Sequence, residues 1–263
     1  MMMNFISNMS EASLLIFLLI VTIALSLVCF FLIQKYCTWL SLGDDGIFGT
    51  IFANTMPTLV GFIFAFVTVA AWQNYNTVSD AVSKEAHTLF NLYQILDAYP
   101  SETKKAGQAE IIQYANIVIK QEWPILSQQK YDLDAFKSLD RIHQIMVNHK
   151  PSNFESISIH NEGLSLLTDY TDLRRNRIQS AKSFLAKPMW AALIVSAILL
   201  ILFSALFKTK NIRIHAVMIA LVGGSLGVMF FLLVIYDNPF WGPSAIEPAP
   251  FQKTLESISI IKR

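Results

Sequence analysis

Four long apolar runs divide this chain, and each could cross a membrane as a single helix. The first extends from Leu14 to Ile33, and the second lies within Ile47 to Trp72, a stretch without any charged residue. The third run covers Met189 to Phe207, and the fourth covers Ile214 to Tyr236. A helix needs about 20 apolar residues to span a hydrocarbon core of about 30 Å. The pattern therefore predicts four transmembrane helices.

The second apolar run continues into an amphipathic segment without a helix-breaking residue. From Gln73 to Tyr99 the chain contains no Gly or Pro, and apolar residues recur at helical spacing. Trp72 and Tyr75 have a polar tip on an apolar body, which is typical of residues at a membrane–water interface. One long helix is therefore expected to leave the membrane here and enter a helical, water-soluble domain.

Three further helical patterns follow before the third apolar run. Apolar stripes cover 108–123 and 133–147, and a last helix, beginning within 154–161, continues to Ile178. No strand-like alternation of useful length occurs, so the chain is predicted to be an all-α integral membrane protein in four parts. These parts are transmembrane helices one and two in 1–72, a helical cytoplasmic domain in 73–187, transmembrane helices three and four in 188–236, and a C-terminal cytoplasmic segment in 237–263.

Composition and charge agree with a membrane protein. Apolar residues make up 54% of the chain and charged residues only 15%, whereas soluble domains carry about 25% charged residues. The net charge of +1 argues against nucleic acid as a partner. More Lys and Arg residues flank the membrane on the side of the 73–187 domain than on the other side. The positive-inside rule then places this domain in the cytoplasm and the protein in the inner or plasma membrane.

Two of the four runs carry small residues on one face. In the fourth run, Gly223 and Gly227 form a G-x-x-x-G pattern, which predicts close helix packing. A small and polar face in a membrane helix either packs against another helix or faces water. For the second run, periodicity alone favours packing and leaves a pore as the alternative. That face consists of Asn54, Thr58, Gly61, Ala65, Thr68 and Trp72.

The chain lacks the residue patterns of known catalytic and metal sites. None of its five histidines belongs to an H-E-x-x-H motif, and the spacing of Cys29 and Cys37 fits no redox or zinc motif. The densest group of charges, Asp169 to Arg177, is expected to form a solvated helix face with pairs at i, i+3 or i+4 spacing. We therefore predict no enzyme activity, no catalytic residue, no cofactor and no metal site.

Two separate motifs resemble those of a known family. The first begins at Gly61-Phe62, includes Trp72 and Tyr75, and extends to Pro100. The second follows the fourth apolar run and reads Asp237-Asn238-Pro239-Phe240-Trp241-Gly242. Both motifs occur in the expected order beside the expected runs. Together they resemble the bestrophin-like domain family, relatives of the bestrophin anion channels.

The resemblance implies a homopentamer in the lipid bilayer, in which the second helix of each subunit lines a pore for small anions. The constriction would contain Phe62, with Thr58 and Asn54 one and two turns before it, and Phe64 is expected to face lipid. The acidic run that binds calcium in animal bestrophins has no counterpart here, so calcium activation is not expected. Asp237 and Asn238 are instead expected to cap or brace the chain where it leaves the membrane. The competing hypothesis is a non-conducting scaffold or sensor that acts through its cytoplasmic helical domain.

Overall fold

The computed structural model describes residues 9–36, 46–207 and 211–262, except for the side chains of 46–53, so Cys37 lies outside the described residues. Most of the described residues are helical and none of them forms a β-strand, which confirms the all-α prediction. In chain order, the α-helices are α1 (Glu11–Tyr36), α2 (Gly46–Ile95), α3 (Ser101–Ile117), α4 (Trp123–Leu126), α5 (Leu133–Val147), α6 (Phe154–Gln179), α7 (Lys187–Leu206), α8 (Ile212–Asp237) and α9 (Ala249–Ile261).

The described chain divides into two compact units. The first unit consists of the described residues up to Tyr75, Ser183–Asn238 and Gly242–Ser244. The second unit consists of Asn76–Lys182, Pro239–Trp241 and the described residues from Ala245 onward. Helix α2 is continuous from one unit into the other, as the absence of Gly and Pro between Gln73 and Tyr99 predicts.

Among the described residues, four helices are long and apolar enough to cross a membrane, which confirms the four predicted spans. They are α1, the apolar part of α2, α7 and α8. Pro57 lies inside α2 without ending that helix. Next to Pro57, the Thr58 hydroxyl donates a hydrogen bond of 2.7 Å to the carbonyl of Asn54, one helical turn earlier.

In the first unit, α1 and α8 approach each other through small residues. A Cβ atom added to Gly223 would lie 2.9 Å from the backbone carbonyl oxygen of Thr22 and would also clash with the Ser26 hydroxyl. One added to Gly227 would lie 2.5 Å from the Thr22 hydroxyl. The Ser26 hydroxyl donates to the carbonyl of Ile23 in its own helix at 2.8 Å, and it also lies 3.3 Å from the carbonyl oxygen of Ile219 on α8. The G-x-x-x-G prediction is thus confirmed, and both glycines are needed for the short distance between the two helices.

A second apolar core in the first unit packs α2 against α7 and α8. Phe64 has no exposed surface, and its ring lies edge-on to the ring of Phe230, with 5.2 Å between centroids. Leu193 and Leu200 of α7 and Leu226 of α8 belong to the same core. The expectation that Phe64 faces lipid is therefore wrong, because residues of α7 and α8 cover the side of α2 on which Phe64 lies.

The second unit is built from helices with well-defined starts. Asp132 caps α5 by accepting hydrogen bonds from the backbone amides of Asp134 and Ala135, and α5 has the predicted limits. Asn153 caps α6 in a reciprocal capping box with Ser156.

Two features of the second unit differ from the prediction. Helix α3 begins at Ser101, seven residues before the predicted start, and it ends in a π-helical turn, Val118–Glu122, before α4 begins. The C-terminal segment, for which no helix was predicted, contains α9, which buries Phe251, Thr254 and Ile258.

The close approach of α1 and α8 generates a matched test with alanine. Gly223→Ala is expected to destabilise the protein by about 1–3 kcal/mol, because the new methyl group meets backbone that does not move freely. Gly224→Ala is the control, since its Cβ would lie 3.7 Å from the nearest side-chain atom, an ordinary contact. Thermal unfolding in detergent measures both variants. Equal melting temperatures for the two would contradict the tight contact at Gly223.

Candidate functional site

The three predicted constriction residues lie on one exposed side of α2. Asn54, Thr58 and Phe62 are all exposed, Phe62 to 58%, and Phe66 on the same side is exposed to 75%. Within the described residues, no atom lies within 4 Å of a Cβ added to Gly61. This part of α2 is therefore not packed against another described helix of the same chain, contrary to the packing that periodicity favoured.

The exposed side of α2 is uncharged but not uniformly apolar. The Thr58 hydroxyl donates its proton to the carbonyl of Asn54. The Thr58 oxygen can therefore act only as a hydrogen-bond acceptor toward the outside of the helix. The Asn54 carboxamide carries N–H donors, and Phe62 presents an aromatic ring. A donor group and an aromatic edge, which has partial positive character, both interact favourably with anions. We call Asn54, Thr58 and Phe62 the α2 face.

Further along α2, two other motif residues lie where the helix leaves its apolar part. The Tyr75 hydroxyl donates a hydrogen bond of 2.8 Å to the carbonyl of Ser244, and its ring lies edge-on to Tyr236. Trp72 is about half exposed.

Asp237 of the second motif binds the segment at the start of the third span. One carboxylate oxygen accepts a hydrogen bond of 2.7 Å from the Leu185 amide, and the other accepts one of 2.6 Å from the Ser183 hydroxyl. The indole N–H of Trp190 lies 3.3 Å from the same second oxygen. The backbone carbonyl of Asp237 also accepts from the Phe184 amide at 2.8 Å. A single side chain thus fixes the chain before α7 to the end of α8.

Pro239 and Phe240 belong to the second unit. The carbonyl of Pro239 accepts a hydrogen bond of 2.8 Å from the Ile246 amide, which closes the loop between them. Phe240 is buried and lies edge-on to the indole of Trp123, with 5.7 Å between the ring centroids. The Trp123 indole N–H also donates to the carbonyl of Ile246 at 2.9 Å. The motif therefore has a structural use in the second unit, around Trp123.

Four fully or almost fully buried charges lie at the centre of the second unit, and we call them the charge cluster. Arg177 donates to a Glu85 oxygen at 2.7 Å through its Nε and to a Glu122 oxygen at 2.8 Å through an Nη. Arg174 pairs with the other Glu122 oxygen, which also accepts from the Asp132 amide at 3.2 Å. Two acids and two arginines balance in charge, as buried ions require.

Aromatic side chains enclose the charge cluster. The guanidinium carbon of Arg177 lies 5.1 Å from the ring centroid of Trp123 and 5.9 Å from that of Phe251. Tyr114 and Tyr170 are also fully buried and lie edge-on to each other. Burial raises the pKa of both phenols well above the usual range, and the Glu85 carboxylate adds to the effect. Both phenols therefore stay neutral next to the ions.

The protonation state of Arg177 follows from two opposing effects. Burial lowers the pKa of the guanidinium, but the carboxylates of Glu85 and Glu122 outweigh it and raise the pKa above its usual value. Arg177 is therefore charged. Burial raises the pKa of the Glu85 carboxyl, and the Arg177 guanidinium, 2.7 Å away, opposes this rise and favours the charged carboxylate. The cluster has no free carboxylate to act as a catalytic base, and no group of three potential metal ligands occurs among the described residues.

The expectation of a solvated face for residues 169–177 is correct for some of the charged residues and wrong for others. Asp172 and Arg175 are exposed and form an i, i+3 pair of 3.6 Å, as predicted. Arg174 and Arg177 are buried instead. The sequence did contain a signal, since both arginines continue a stripe with the spacing of a buried helix face. The buried members of this stripe are Gly163, Leu167, Tyr170, Arg174, Arg177 and Ala181.

Comparison with known proteins places the chain in a family. A family model described as the bestrophin-like domain matches residues 20–251, which is most of the chain. No curated protein and no solved structure matches the chain. The matched range includes both motifs, the α2 face and the charge cluster. The bestrophin-like family is not a family of enzymes, in agreement with the absence of catalytic motifs.

The charge cluster generates a test with neighbouring arginines of α6. Arg177→Met is expected to lower the free energy of unfolding by about 3 kcal/mol or more, because it leaves Glu85 and part of Glu122 buried without a partner. Arg175→Met is the matched control, since its exposed pair with Asp172 contributes little. Thermal unfolding of both variants in detergent decides. Similar losses in the two variants would show that the cluster does not stabilise the unit.

Proposed function

Because the chain belongs to the bestrophin-like domain family, we propose that it is a homopentameric ion channel for small anions, with α2 lining the pore. The supporting observation is the α2 face, which the described part of the chain leaves uncovered although it contains Asn54 and Thr58. A polar carboxamide is costly in lipid unless it finds a partner or water. In the proposed assembly, five copies of α2 surround a common axis, and this face meets water and ions.

The proposed pore has a graded interior. Phe62 forms the narrowest apolar ring, which can open and close by wetting and dewetting. The ring edges and the Asn54 carboxamide carry the partial positive charge that attracts an anion without a buried cation. Thr58 and Asn54 make this part of the pore more polar than a purely aromatic neck. The proposed conduction therefore depends on Phe62 for gating and on Asn54 for hydrogen bonding to the ion.

The same proposal gives the chain an orientation. The Gln73–Lys187 domain lies in the cytoplasm, on the side that has more Lys and Arg residues near the membrane. The membrane is then the inner or plasma membrane of the cell. The segment that follows α8 lies on the same side as the domain, because four spans return the chain to the side on which it began.

Conductance measurements on reconstituted protein test the pore. Wild-type protein that is pentameric by native mass spectrometry should carry a chloride current. Phe62→Ala is expected to increase that current severalfold, since it widens and wets the ring. Ile63→Ala is the control, because Ile63 lies about a hundred degrees round the same helix. Phe64 is unsuitable because it is buried in the core.

Two results would contradict the channel. Pentameric protein that passes no ion, or equal currents in the Phe62→Ala and Ile63→Ala variants, would remove the assignment of Phe62. A monomer in detergent would remove the proposed pore entirely. The non-conducting scaffold, acting through the helical domain, would then be the better hypothesis.

Cysteine accessibility tests the orientation. In a variant with Cys29 and Cys37 replaced, Gln128→Cys is expected to resist an impermeant thiol reagent in intact cells. Ile212→Cys is expected to react, because Ile212 is exposed at the start of α8 on the opposite side. Ile212 is preferable to Asn211, whose side chain caps that helix. The reverse labelling pattern would overturn the cytoplasmic location.

A further inference from the structure

A groove runs between the last helix and the part of α2 that lies in the second unit. Its volume is about 410 Å³, within the range of ordinary small-molecule sites. The Thr254 hydroxyl of α9 donates a hydrogen bond of 3.2 Å to the carbonyl of Ala86 on α2 and holds the two walls together. We call this the α2–α9 groove.

Three side chains of the groove are hydrogen-bond donors that are not bonded to an acceptor in the described part of the chain. Its walls include Lys253 and Ser257 of α9 and His87 of α2. Within the described part of the chain, none of these three side chains has an ion-pair or hydrogen-bond partner. An ammonium group, an imidazole N–H and a hydroxyl therefore face the same space unpaired.

No carboxylate lines the α2–α9 groove. The nearest acidic residues along the two helices are Glu85, two residues before His87, and Glu256, three residues after Lys253. Glu85 is buried and pairs with Arg177. Neither acid belongs to the lining, whereas Lys84, one turn before His87 and exposed, adds a further positive charge on α2. The charges of the lining thus favour an anion.

The rest of the lining is apolar and includes rings. Phe90 and Pro250 lie on opposite walls of the groove, next to the donors. Flat apolar surfaces of this kind hold an aromatic or other planar group, while a few polar groups fix its orientation.

We propose that the α2–α9 groove binds a phosphate monoester whose organic part is flat and apolar. The three terminal phosphate oxygens match the three unpaired donors, and lysine is a common phosphate ligand. The organic part lies between Phe90 and Pro250. This site is separate from the α2 face, so the proposal does not depend on conduction.

Phenyl phosphate is a suitable probe, because it combines both features in one small molecule. Isothermal titration of the full-length protein in detergent should show saturable binding of phenyl phosphate. Phenol should not bind, because it lacks the oxyanion. Lys253→Gln is expected to weaken binding about tenfold or more, since it removes the positive charge that pairs with the phosphate. His87→Leu is expected to have a similar effect, since it removes the imidazole donor. Lys262→Gln is the matched control, since Lys262 follows the same helix and does not line the groove.

Two outcomes would overturn the proposal. One is the absence of saturable phenyl phosphate binding to folded wild-type protein. The other is equal affinity in the Lys253→Gln and Lys262→Gln variants. Having two independent groove variants keeps the test valid if either one fails to fold.

A second arm separates the two sources of a phosphate monoester, a soluble compound and the headgroup of phosphatidate. The titration is repeated in nanodiscs of phosphatidylcholine with and without phosphatidate. Weaker phenyl phosphate binding in the presence of phosphatidate supports a lipid occupant of the groove. Unchanged binding supports a soluble one.

Discussion

Arg177 carries a positive charge with no exposed surface, and the acids that neutralise it come from distant parts of the sequence. Glu85 lies on α2 and Glu122 on the π-helical turn, while the rings beside the guanidinium belong to Trp123 and Phe251. Taking an ion out of water costs several kcal/mol, so any arrangement that separated Arg177 from its acids would leave a charge uncompensated. The helices of the second unit are therefore restricted to a register in which these charges meet.

The sequence predicts the helices of this protein better than it predicts what they bury. Hydropathy finds the four spans, and periodicity finds α5 with its limits. Arg174 and Arg177 were misassigned because residue type suggested solvent, whereas position within the stripe indicated the interior. Glu85 shows the same conflict as Arg177, since it lies in the middle of a buried stripe of α2. That stripe consists of Val78, Val82, Glu85, Leu89, Leu92 and Leu96.

Hydropathy could not decide which side of α2 packs within the chain. An apolar side chain in lipid gains little from moving against another helix, so Phe62 and Phe64 look equivalent in the sequence. The structure buries Phe64 against Phe230 and leaves Phe62 exposed. Periodicity favoured packing for Asn54 and Thr58, whereas both residues are exposed within the described chain. The α2–α9 groove was not predictable either, since no helix was expected around Lys253.

Both units depend on segments that the ribosome makes late. The Ser26 hydroxyl on α1 reaches the carbonyl of Ile219, 193 residues further along the chain. Phe251 of α9 completes the aromatic enclosure of Arg177. Because synthesis proceeds from the N-terminus, α1 stays in the bilayer without its closest neighbour until α8 has been inserted. The second unit in turn exposes one side of a guanidinium until α9 emerges. A chain interrupted after α8 would therefore leave the second unit without the ring of Phe251 beside Arg177.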